Sequence, residues 1–357
     1  MDWSNFIYFP VLKTKDAELR AISSVDKVSR EKILPIYEIT KSRITKKNSL
    51  GDIVKRLDQI RGIQNGLPFI LDVATDPKQT NSQIESILSP DDGYRFWREW
   101  LEAHDDLSIV PVIHINLEDD EDLDEAQSFV RAVAHKYPKM ALRLPTGLEE
   151  EEYSEILDPI VSVLGESKLY VLIDDGCIRD IVKKSSIGAV AQSYQSTFEI
   201  IAEMDDSENW LEKVVCISGS FPRQVKNEGV GDEYGDFDIF EHGLYLQLKK
   251  NRPDLQFGDY ASININQTEM RGGTFVPRID FCTDSKFFYY RKRRESGSYI
   301  WCAKKVIADS DFVDNGTWGD DEINSAAIGS PSGISPSFWI SVRACNYMTR
   351  RVKILSA

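Results

Sequence analysis

Pro68-Phe69-Ile70-Leu71-Asp72-Val73 reads as a strand buried on both faces, with a single carboxylate set into an apolar run. Parallel strands take this form because helices cover the outer face of the sheet, leaving no polar alternation. Similar runs fall at 6–12 and 33–39 before it, and at 109–115, 140–144, 169–173, 214–218 and 256–262 after it. Helical stretches at 16–25, 50–63, 83–103, 122–136, 150–164, 188–204 and 240–250 follow the first seven runs in turn. Eight strands alternating with helices over about 260 residues predict an α/β fold, a (β/α)8 TIM-like barrel. The main rival, a doubly wound open sheet, would carry a glycine-rich first turn, and Lys13-Thr14-Lys15-Asp16 has no glycine.

A single core stops growing near ~250–300 residues. The 357-residue chain is therefore divided into a barrel at 1–265 and a smaller mixed α+β segment at 266–357 that packs near the barrel mouth. The strand–helix rhythm breaks after Asn264. Gly272, Gly273 and Pro277 mark 270–277 as a linker. Two extended stretches flank Thr283-Asp284-Ser285, a helix is expected at 298–307, 316–336 reads as loop, and 338–355 carries the last apolar run.

With 41% hydrophobic residues and no apolar stretch longer than a strand, the chain reads as globular, without a membrane span or signal segment. Five widely spaced cysteines, an odd number with no metal-finger or redox spacing, read as reduced thiols in the cytoplasm. The net charge of −15 disfavours attraction of the whole molecule to nucleic acid or anionic lipid. Acid concentrates at 118–125 and 149–152, base at 291–294 and 350–353. Nucleic acid is thus conceivable only through the C-terminal basic segment, where Phe287, Phe288, Tyr289 and Tyr290 precede Arg291.

In such a barrel, function collects where the strands end. The polar residues there are Lys13, Lys15 and Glu18 after the first strand, Glu38 after the second, Asp72 after the third and His114 after the fourth. Arg143, Asp174 with Asp175, Ser218 with Ser220, and Asp259 with Tyr260 follow the others. A charge inside an apolar run is costly to bury without a partner. The candidate catalytic or cation-holding set is therefore Glu38, Asp72, Asp174 and Asp259, whose oxygens suit Mg2+. The candidate ligand or phosphate contacts are Lys13, Lys15, Arg143, Ser220 and Tyr260. The same side chains could instead pair with one another and merely order the rim, and Asp174-Asp175-Gly176 also reads as a turn. There is no Walker A loop, no H-E-x-x-H and no G-x-S-x-G, so nucleophilic serine chemistry is poorly supplied. Two-carboxylate glycosidase chemistry could be assembled from the four acids.

Tyr8-Phe9-Pro10-Val11-Leu12-Lys13-Thr14-Lys15, Ile33-Leu34-Pro35-Ile36-Tyr37-Glu38, Ser220-Phe221-Pro222, Gly258-Asp259-Tyr260 and Trp318-Gly319-Asp320 occur in that order. Together they resemble the phage Beta protein family across nearly the whole chain. The resemblance implies a phage-defence or toxin-restraining component, one member type accompanying the Gop killer protein of satellite phages. It implies a protein partner and assigns no chemistry. The family pattern continues after its late tryptophan with Arg and a His-His pair; here Trp339 is followed by Ile340, and Asn346-Tyr347 stand in the pair's place. Asp320 retains the pattern and is expected either to reach the barrel mouth or to stabilise a turn.

Three functions follow from these readings. One is a defence or toxin-control module acting by protein contact, with a phosphate-containing small ligand such as a nucleotide at the mouth. The second is a metal-dependent phosphodiesterase or nuclease-type hydrolase using the strand-end carboxylates. The third is an inert structural subunit.

Overall fold

The computed structural model describes residues 3–42, 44, 46, 48, 49, 51–116, 120–205, 209–228, 233–265 and 275–357, the side chains of 120–122 excepted. Parts of the acidic stretch 118–125 and of the linker 270–277 lie outside the described residues.

Eight parallel strands close into the expected barrel. They are β1 (Tyr8–Lys13), β2 (Ile36–Ile39), β3 (Phe69–Val73), β4 (Ile109–Ile113), β5 (Lys139–Leu144), β6 (Lys168–Cys177), β7 (Leu211–Gly219) and, after an inserted strand, β9 (Gln256–Asp259). Neighbours pair in chain order, and β9 completes the ring by pairing both β7 and β1. Side chains alternate across each strand. Val11, Ile36, Ile70, Val112, Ala141, Leu172 and Ile217 fill the barrel interior. Leu12, Tyr37, Leu71, Ile113, Leu142, Ile173 and Cys216 face the helices. Gly258 has no room for a side chain: a Cβ there would come within 2.7 Å of Ile217 Cγ1 and 3.0 Å of the Phe9 carbonyl.

The inserted strand was not expected from the sequence. β8 (Tyr234–Asp238) pairs antiparallel with β11 (Lys286–Arg291), which pairs with β10 (Arg278–Cys282), giving the order β10-β11-β8. The small sheet therefore draws one strand from between β7 and β9. The hairpin at 278–291 and the helix Ser298–Ile307 lie where the sequence placed them. The stretch 316–336, read as loop, instead holds the helix Trp318–Ala327. A capping box of Thr317 and Asp320 starts it. The final helix, Pro336–Leu355, is capped by the Ser335 side chain on the Phe338 N–H at 3.2 Å. It runs against the helix Asp16–Ser24, β1 and β10, tying the C-terminal segment to the barrel wall. Among the described residues no helix is long and apolar enough to cross a membrane. All five cysteines are free thiols.

Candidate functional site

Two residues beyond the last apolar interior layer, the same alternation turns Lys13, Glu38, Asp72, Arg143 and Asp174 toward the mouth of the barrel. The side chains meet at Arg143. Its Nη1 donates to Glu38 Oε1 at 2.7 Å and to Asp72 Oδ2 at 2.8 Å. Its Nε donates to Asp174 Oδ2 at 2.7 Å, and Nη2 donates to the Tyr260 hydroxyl at 2.9 Å. Tyr260 in turn donates to Asp174 Oδ2 at 2.6 Å. Backbone amides complete the carboxylates: Val73 N–H on Asp72 Oδ1 and Gly176 N–H on Asp174 Oδ1. The aspartate bonds Gly176 as a turn would, yet the backbone remains in β6, with a register shift between Asp174 and Cys177.

Three carboxylates share this one guanidinium. Burial pushes the Asp72 carboxyl up to about 6, with Arg143 opposing the rise and Glu38 adding to it. Glu18, also buried, is pushed up to about 7 by burial, against the pull of a backbone hydrogen bond and of Lys15 and Lys13. Lys13 itself donates through Nζ to the Ile265 carbonyl at 3.3 Å, so the segment after β9 lies across the mouth. Burial holds His114 down at about 4, making it a neutral ring at pH 7, 4.0 Å from Asp72 and 5.2 Å between centroids from Trp97.

The oxygen donors of Glu38, Asp72 and Asp174 have the chemistry for Mg2+, but Arg143 already occupies the space between them. Among the described residues no three His, Cys, Asp or Glu side chains form a metal-holding group. The residues present thus do not fit a divalent cation while Arg143 stays in place. An anion at Arg143 would likewise face three carboxylates.

Asp259 does not join this cluster. Its neighbour Tyr260 has the interior parity, so Asp259 turns outward and is fully buried against the helices. Tyr8 donates to its Oδ1 at 2.7 Å, and the Tyr347 hydroxyl lies 2.7 Å from its Oδ2 and 3.1 Å from Glu241 Oε1. Burial, with Glu241 adding to it, pushes Asp259 up to about 6. Ser220 belongs here too: its hydroxyl donates to Glu241 and accepts the Phe240 N–H at 2.9 Å. Lys15 stands at the N-terminus of the helix Asp16–Ser24, beside Glu18. Of the two readings of Asp320, the local one holds: it does not reach the mouth but caps a helix, accepting from Asn315 N–H, Thr317 N–H and Asn346 Nδ2. Sequence reasoning missed Glu241 and Tyr347, which are separated by 106 positions and meet only in the fold.

On the mouth face lies a cavity of about 550 Å3, lined by residues that follow β3, β6, β7 and β9, with Lys78, Arg179 and Arg223 set beside Asp76, Asp180 and Glu228. A family model described as Beta protein matches residues 8–353. The chain belongs to the Beta protein family. A curated relative, "Protein beta" of Enterobacteria phage P4, is 26% identical over 359 residues, covering 99% of this chain and 95% of that protein. In this Beta protein chain, Asn346 and Tyr347 each hold a buried carboxylate, Asp320 and Asp259 respectively.

Proposed function

We propose that this chain is a binding component of a phage-related defence or toxin-restraining system. It acts by contact with a protein partner and holds a small phosphate-containing ligand on the mouth face of its barrel. The observation that favours binding over hydrolysis is Arg143 bonded to Glu38, Asp72 and Asp174. A hydrolase built on those acids would leave them facing a metal or a water, whereas here they neutralise a guanidinium. The mouth-face cavity, at about 550 Å3, falls within the range of small-molecule sites.

The hydrolase reading draws on the burial of two carboxyls at the mouth. Asp72 and Glu18, pushed up to about 6 and 7, are poised for proton transfer near neutrality. The two readings separate in one experiment, in which nucleotides and a chromogenic phosphodiester are incubated with the chain, with and without Mg2+. Binding without product release, and unchanged partner binding in Asp72→Asn and Asp174→Asn, are expected. Metal-dependent turnover abolished by Asp72→Asn would overturn the proposal.

A further inference from the structure

The buried polar groups where the final helix meets the barrel form one connected network, and its hydrogens can be counted. On β9, Asp259 Oδ1 accepts the Tyr8 hydroxyl of β1 at 2.7 Å and the Ala261 N–H at 2.8 Å. Its Oδ2 lies 2.7 Å from the Tyr347 hydroxyl of the final helix. The same hydroxyl lies 3.1 Å from Oε1 of Glu241, in the helix Phe240–Lys249. Glu241 Oε2 meets the Ser220 hydroxyl, which already accepts the Phe240 N–H. All five side chains are buried.

Four oxygen–oxygen contacts hold the network together, and each needs a hydrogen. The hydroxyls of Tyr8, Ser220 and Tyr347 supply one apiece, which leaves one contact short. The shortage falls at Tyr347. With two carboxyls on it and a single phenol hydrogen, it donates to one and must accept from the other. If both carboxyls were ionised, one contact would set lone pair against lone pair in the interior.

The charges give the same count. Arg351 is fully buried, its guanidinium 4.9 Å from the Tyr347 ring centroid. Its Nη2 donates to the Asp284 carbonyl at 2.7 Å, while Nε and Nη1 have no partner among the described residues. Asp259 and Glu241 both act on its charge. Burial holds the adjacent His242 down at about 4 and pushes the Cys282 thiol up to about 11, so both are neutral near neutrality. The Asp284 carboxylate turns to Arg350 at the surface. One guanidinium therefore faces two carboxyls, and one proton between them brings the group to neutrality.

We propose that Asp259 and Glu241 hold one proton in common through Tyr347, and that this proton fastens the final helix to the barrel wall, so that the C-terminal segment docks more firmly as pH falls. Burial, with Glu241 adding to it, pushes Asp259 up to about 6, in the direction of a carboxyl that keeps its proton. A carboxyl raised in the folded state contributes stability that is full below its unfolded value and lost as pH rises through the folded one. Here the loss falls on the contact that joins the final helix to β9 and to the helix Phe240–Lys249.

Hydrogen exchange of the full chain, followed by mass spectrometry and corrected for the pH dependence of the intrinsic rate, tests this. Between about pH 5 and about pH 7, protection of the final helix should fall about tenfold more than that of the helix Ile187–Asp205, which carries none of these groups; tenfold is one proton across about one pH unit. Glu241→Gln and Asp259→Asn each place an amide N–H opposite the Tyr347 oxygen, supplying the missing hydrogen permanently, and each alone should abolish the extra fall. Equal slopes for the two helices in the wild type overturn the proposal, and that measurement needs no variant to fold. An extra fall that survives in both variants also overturns it. If Asp259→Asn abolishes the fall and Glu241→Gln leaves it, Asp259 titrates alone and the shared proton is wrong.

Discussion

Replacing Arg143 with Met keeps most of the aliphatic stem and removes the charge. Glu38, Asp72 and Asp174 would then share a buried site without a cation, at wild-type spacings of 2.5–2.8 Å from the lost guanidinium nitrogens. Breaking a buried pair by removing one partner costs about 3–5 kcal/mol. At roughly 2 °C per kcal/mol for a chain of this size, Tm should fall by about 6–10 °C at pH 8. The pH dependence identifies the cause. In the wild type Asp72 is already raised to about 6 from an ordinary 3.8, so the folded state binds its proton more tightly than the unfolded state. Its contribution to stability is full below about pH 4 and is lost as pH rises through about 6. Without Arg143, which lowers it, Asp72 rises further, and the deficit should widen from pH 5 to pH 8. Thermal melting of both proteins across that range measures it. A Met variant as stable as the wild type at pH 8, or a deficit that does not change with pH, would refute the charge argument.

Asp259→Asn should flatten the pH dependence between about 4 and 6, because a raised carboxyl contributes stability that is lost as pH climbs through its folded value; melting curves at both pH values check this. Tyr347→Phe strips the hydroxyl from between Asp259 and Glu241 and should cost about 1–3 kcal/mol in urea unfolding. Gly258→Ala forces a methyl against Ile217 and the Phe9 carbonyl and should destabilise by about 1–3 kcal/mol by the same assay. Millimolar Mg2+ should leave the wild-type Tm unchanged, since Arg143 fills the space between the carboxylates; a clear rise would place a metal there.

The barrel was legible because most wall strands are dense apolar runs, and β3 and β5 begin within one residue of their expected positions. The meeting of Glu38, Asp72, Arg143 and Asp174 was legible for the same reason: each ends such a run on the interior parity. Asp259 was misjudged because nothing in 256–262 marks which of two adjacent polar residues, 259 or 260, faces inward. Strand β8, Tyr-Gly-Asp-Phe-Asp, contributes one buried aromatic and owes its conformation to a partner strand some fifty positions later. The helix at 318–327 hid between glycines and a proline, although Thr317 and Asp320 already spelled its cap.

In the proposed reading the acids of the barrel hold an arginine, and a phosphate ligand would bind without being cleaved. Phosphorus NMR of ATP mixed with the wild-type chain and Mg2+ reads both halves at once. Broadened or shifted ATP resonances with no new signal over hours are the expected result. Growth of an inorganic phosphate resonance that disappears in Asp72→Asn would contradict it.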